Sequence, residues 1–224
     1  MLHEFSRSTK RLAPQALVLL ILGHGQVIEA QDSGGWTAHL GVGINTPVGR
    51  TSDFVHISGA FTAGLGYRIT GRQTVLLQYY ATDLPFNISP LDQLSFIHPS
   101  SELYAVTANY RLEFLDSAPV RPYVIGGSGW YHRIASITRP SGIGEIVCSP
   151  WLVWWNYQCE AGTIPLEKVV AGSISNALGF NVGAGLSRRI RNTSAHWYAE
   201  IRYHYAPHAG VPTVTLPLTF GLAW

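Results

Sequence analysis

The sequence predicts an all-β protein, an eight-stranded antiparallel up-and-down transmembrane β-barrel, and three observations carry that expectation. Charged residues are only 12% of the 224-residue chain while aromatics also reach 12%, against about 25% charged in ordinary soluble domains. Downstream of residue 30 the chain divides into stretches of about ten residues in which apolar positions alternate with polar or small ones, the pattern of a strand with lipid on one face and a polar lumen on the other. The connections between those stretches alternate between short and long, as membrane barrels with short turns on one side and long loops on the other require.

Residues 1–30 read as a signal peptide, leaving 31–224 as the barrel domain. Arg7, Lys10 and Arg11 form a basic segment ahead of the apolar run Ala16 to Leu22, and Ala30 precedes Gln31 at a plausible cleavage point. The apolar run breaks at Gly23, His24 and Gly25, short of the roughly 20 residues that a spanning helix needs. No later segment is long and apolar enough to serve, so any crossing of a membrane falls to strands.

In the first stretch Trp36, Ala38, Leu40, Val42 and Ile44 share a face opposite Thr37, His39, Gly41, Gly43 and Asn45. The second sets Phe61, Ala63, Leu65, Tyr67 and Ile69 against Thr62, Gly64, Arg68 and Thr70. Val75, Leu77 and Tyr79 oppose Thr74, Gln78 and Tyr80 in the third, and Tyr104 to Phe114 alternate cleanly in the fourth. The fifth, Arg121 to His132, is rich in glycine and places Trp130 beside Tyr131, so its faces stay unassigned. The sixth runs from Leu178 to Arg189, the seventh from Trp197 to Tyr205 and the eighth from Thr213 to Trp224, each with apolar residues two apart. Gly71-Arg72, Asp116 to Pro119 and Arg191 to Ser194 are the tight turns. Thr46 to Phe54, Asp83 to Ser101, Ile137 to Gly172 and Ala206 to Pro212 are the long connections, placed outside the cell with the turns in the periplasm.

Glu200, Arg202 and His204 fall on the polar face of the seventh stretch and are expected in the lumen, where paired charges suit a narrow barrel. Cys148 and Cys159, the only cysteines, lie close together in an exported chain and are expected to form a disulfide within the longest connection. Two sulfurs without further ligands at suitable spacing make a poor metal site, and no cofactor is implied. Trp151, Trp154 and Trp155 beside them form either a contact surface for a partner or an aromatic cover at the barrel mouth. No basic stripe exists that could track nucleic acid; the net charge is +2.

The segment HWYAEIRYHYAPHAGVPTVTLPLTFGLAW, His196 to Trp224, resembles the closing hairpin of bacterial outer-membrane β-barrel-domain proteins. That resemblance implies an outer-membrane location, contact with membrane lipids and lipopolysaccharide, and an assembly signal in Phe220, Leu222 and Trp224 read by the barrel-insertion machinery. RYH at Arg202 to His204 is also similar to the active-site strand of the lipid A deacylases, which carry a serine two positions after the histidine. Here that position is Ala206, which offers no nucleophile to a base. The expected role is therefore non-enzymatic, structural or in surface interaction with a partner left open, and the alternatives are a deacylase-like enzyme or a narrow pore for small solutes.

Overall fold

Residues that alternate in chemistry along an extended chain must alternate in direction, because successive side chains of a strand point to opposite faces. In the computed structural model this alternation closes on itself. The structure describes residues 34–87, 98–115, 118–151 and 156–224, with the side chains of 98, 139–168 and 170 outside the description. Eight strands follow in chain order: β1 (Gly35–Pro47), β2 (Ser58–Arg68), β3 (Gln73–Asp83), β4 (His98–Glu113), β5 (Arg121–Trp151), β6 (Asn156–Arg189), β7 (His196–Ala206) and β8 (Thr213–Ala223). Each pairs antiparallel with its neighbour, and β8 pairs with β1 through Leu40 opposite Leu222 and Val42 opposite Phe220, so the sheet is a closed barrel. Closure leaves no strand edge within the ring, which a bilayer requires because it offers no water to an unpaired backbone group.

The outward face is apolar. Val42, Leu65, Leu77, Val106, Leu178, Val182, Ile201 and Phe220 are all exposed on the barrel surface. Trp36 and Tyr67 meet edge to face at 5.6 Å near the short-turn end, where Trp197 and Trp224 are also exposed. Aromatic side chains at this height match the interfacial girdle of a membrane barrel.

The faces assigned from the sequence are those observed, and the fifth stretch now has its own. Tyr123, Ile125 and Tyr131 are buried in the interior while Val124 and Trp130 are exposed outside. Glycines make room on the inside. The large inward tyrosines lie flat across glycines of the next strand: a Cβ on Gly185 would stand 2.4 Å from Tyr123 Cζ, and one on Gly179 would stand 2.8 Å from the Tyr131 ring.

One expectation about the connections is corrected. The segment 137–172 is not an irregular loop: β5 and β6 run through it as one long hairpin, paired from Arg121↔Ser187 out to Trp151↔Asn156. The pairing of β4 with β5 ends at His98↔Thr138 and that of β6 with β7 ends at Phe180↔Tyr205. Beyond those points, among the described residues, the two strands pair only with each other, over on the order of 40 Å at the usual rise per residue. Register shifts at Ile137/Thr138, Pro140/Gly142 and Gly144/Ile146 interrupt the ladder; such bulges add local twist. Of the other long connections, that between β1 and β2 holds a 3-10 turn at Gly49–Asp53, that between β7 and β8 is the short segment 207–212, and in the expected Asp83 to Ser101 connection residues 88–97 lie outside the described residues while His98 to Ser101 already belong to β4.

Candidate functional site

Alternation sends Glu200, Arg202 and His204 of β7 into the lumen, where all three are buried. Arg202 Nη2 donates to Glu200 Oε1 at 2.5 Å, and its Nη1 donates to Gln78 Oε1 of β3 at 2.7 Å. Tyr123 of β5 donates its hydroxyl to Glu200 Oε2 at 3.1 Å. The Arg111 guanidinium of β4 stacks on the Tyr123 ring, 3.8 Å from its centroid. Arg111 in turn pairs with Glu113 at 2.5 Å, and Glu113 lies 3.6 Å from Arg121. One chain of charge and hydrogen bonds thus crosses the lumen from β7 to β3, β5 and β4. Each buried charge in it faces an opposite charge, the arrangement that makes burial tolerable.

Above this network His204 stacks on Tyr80, with ring centroids 4.8 Å apart, and its Nδ1 meets the Tyr131 hydroxyl at 2.9 Å. An apolar layer covers them, built from Val55, Leu84, Leu103, Ala105 and Ala206 with Phe86 against it. At the rim the 207–212 connection is clasped down. Thr51 donates to the Pro212 carbonyl at 3.0 Å and accepts from the Val214 amide at 2.8 Å. Arg133 Nη1 donates to the Val211 carbonyl and to Thr213 Oγ1, both at 3.0 Å, while His208 Nδ1 sits 3.0 Å from the same hydroxyl. Burial, and then the Arg133 charge, push the His208 imidazole below its usual range.

A void of about 10 Å³ lies beside Arg202 and Pro217, and another of about 20 Å³ at the short-turn mouth beside His39, Arg68 and His196; each has room for about one water. Pro217 also explains a local gap in the sheet. Pairing of β7 with β8 passes from Ile201↔Leu218 to His204↔Thr215, because proline has no amide hydrogen to give the ladder.

The remaining expected residues are dispersed. Phe220, Leu222 and Trp224 face outward, and the Trp224 backbone exchanges hydrogen bonds of 2.8 and 3.0 Å with Ala38. Cys148 and Cys159 are direct partners in the β5–β6 register. Trp151 closes β5, while Trp154 and Trp155 lie outside the described residues. Sequence reasoning named the β7 charges but missed Gln78, Tyr123, Arg111 and Glu113 as their partners. Inward alternation was the available signal for three of them, and Tyr123 sat in the unassigned strand.

No protein-family model matches the sequence, and neither does any curated protein. Solved structures match in shape. Neisserial surface protein A is similar over 85% of this chain and 97% of its own, at 16% identity and a TM-score of 0.54. A major outer membrane protein from Thermus thermophilus covers 85% and 98% at 10% identity, also with a TM-score of 0.54. Ail, the attachment invasion locus protein of Yersinia pestis, covers 87% and 100% at 14% identity and a TM-score of 0.45. The chain has the fold of the small eight-stranded outer-membrane barrels.

Proposed function

We propose that this chain is a non-enzymatic outer-membrane barrel that acts as a closed scaffold for a surface element, the β5–β6 hairpin. The observation that carries the reading is the buried side-chain network inside an apolar-coated ring: Glu200, Arg202, Gln78 and Tyr123 join across the interior, with Leu84 and Leu103 packed above them. An eight-stranded barrel has just enough interior for side chains to fill. Such an interior favours a scaffold over a solute pore or a lipid-processing site. His204, the residue shared with the deacylase pattern, is sealed between Tyr80 and Tyr131, where a membrane lipid does not reach it.

Residues 1–30 act in this reading as the export signal. Phe220, Leu222 and Trp224 present the outward edge recognised during insertion, and the apolar belt contacts membrane lipids with lipopolysaccharide outside. The hairpin, including Trp151, Trp154 and Trp155, is the element that meets a surface partner, braced by a Cys148–Cys159 disulfide. Directly opposed antiparallel residues have Cα atoms about 4.5 to 5.5 Å apart, within the reach of a disulfide.

Planar-bilayer recording of the refolded protein tests the central point. The expected result is no stepwise conductance above the bare bilayer, in protein whose folding is verified by heat-modifiable migration. Steady single-channel currents would replace the scaffold reading with the pore.

A further inference from the structure

The charges of the barrel are segregated by end. The short turns and the strand ends beside them carry Arg68 and Arg72, Arg121, and Arg188, Arg189 and Arg191. The sequence places only two acidic side chains there, Glu113 and Asp116. Glu113 is already engaged by Arg111 and Arg121, and Asp116 lies outside the described residues. The opposite rim has the reverse balance, with Asp53, Asp83 and Glu102 against Arg50 and Arg133.

The depth of the arginines matters as much as their number. Arg188 stands opposite Trp197 in the β6–β7 register, and both are exposed. Arg68 instead faces the mouth of the lumen beside His39 and His196, and Arg121 is held by Glu113, so neither belongs to the outward set. Arg72, Arg189 and Arg191 are exposed within or just beside the turns. Tryptophan and tyrosine mark the headgroup level of a bilayer, so these guanidinium groups lie where lipid phosphates are. A guanidinium is planar, always charged and matched to phosphate oxygens by its paired donors.

We propose that the short-turn rim is a binding surface for anionic phospholipid headgroups of the leaflet on that side, selecting them over zwitterionic ones. The inference rests on the membrane-barrel reading and adds a lipid class and a location to it. Arg188, Arg189 and Arg191 are exposed at the β6–β7 turn and Arg72 at the β2–β3 turn, so headgroups gather around the barrel rather than entering it. The attraction is a sum over several cations near a charged surface and is screened by salt.

The test uses the folded protein in phosphatidylcholine vesicles containing increasing fractions of brominated phosphatidylglycerol or, in parallel, brominated phosphatidylcholine. Tryptophan quenching then gives the relative association of the two lipids. The expected preference for phosphatidylglycerol is roughly fivefold at low salt. It should fall below twofold in R188Q/R189Q/R191Q, fall with added sodium chloride, and persist in R50Q at the other rim. Equal quenching by both lipids, a preference indifferent to salt, or one unchanged in the triple variant would overturn the proposal. The salt series on the unaltered protein decides the matter if the triple variant does not fold. A protein that fails to float with vesicles sinks the membrane-barrel reading, and this inference with it; one that floats without selectivity sinks this inference alone.

Discussion

Glu200 and Arg202 show how a lumen residue depends on its partner. Both are buried, and they pair at 2.5 Å. Glu200→Ala should lower stability by about 3–5 kcal/mol, because it strands a buried guanidinium. Adding Arg202→Met should recover most of that loss, since an apolar pair of similar volume carries no uncompensated charge. Urea titrations of the refolded variants in detergent check both outcomes. Gly185 has a different constraint, for a side chain there would collide with Tyr123; Gly185→Val should cost about 1–3 kcal/mol by overpacking. His208 belongs to the rim, beyond the end of β7. Its neutral form is favoured in the clasped connection by burial and by Arg133, with His132 adding a smaller effect of the same sign and the Tyr131 backbone an opposing one. The clasp is therefore fully stable above the ordinary histidine value of 6.5 and weakens as pH falls below it. Amide exchange across 207–212 should quicken between pH 7.5 and 5, and His208→Asn should flatten that dependence; equal exchange at both pH values would remove the argument. The sequence made the β7 charges legible because alternation alone puts them inside. It could not pair Arg202 with Gln78, 124 positions away, because that contact follows from barrel closure.

At the level of elements, alternation was readable wherever a strand borders lipid on one side and a packed interior on the other. Trp36 to Asn45 and Tyr104 to Phe114 are plain cases. The signal failed in two places for identifiable reasons. In β5 the interior positions 127 and 129 are glycine and the inward Tyr131 directly follows the outward Trp130, so neither face announces itself. In the hairpin, Pro140, Gly142, Gly144, Pro150 and Pro165 interrupt the strand composition. Each of the three register shifts also changes the phase of a period-two pattern, so that a continuous pair of strands reads as a loop. The hairpin and the ring have separate supports, and this separation is testable. Deleting residues 139–168 and joining Thr138 to Val169, which are register partners, through an Asn-Gly turn should leave heat-modifiable migration intact. Failure of the shortened protein to fold would show that the ring needs its projection. Cys148→Ser, with the same ring, should speed protease cleavage between 139 and 168; linked cysteine peptides in non-reduced digests are the companion measurement.

On the scale of the whole molecule, the outward belt and the inward network must form together, since the sheet that separates them exists only once it is closed. Phe220→Asp places a charge on the lipid face of the strand that completes the ring, a change that costs about 2 kcal/mol or more at mid-membrane for basic residues and less for acidic ones. The variant, like deletion of Trp224, should accumulate outside the membrane in protease-sensitive form, as fractionation would reveal; normal insertion of both would count against the assembly role of β8. The seam between β1 and β8 has a consequence in time. Leu40 meets Leu222 across nearly the whole length of the barrel sequence, whereas every other seam joins consecutive strands. Bringing together ends separated by roughly 180 residues is harder than closing a ten-residue hairpin by roughly 2–3 kcal/mol of chain entropy if nothing between them is yet ordered. Prior zipping of the seven local seams shortens that search, so the kinetically favoured order is hairpins first and the β1–β8 seam last. A nearly finished sheet with two raw edges is then the favoured late species, and the time it spends open sets the window in which it is vulnerable to aggregation.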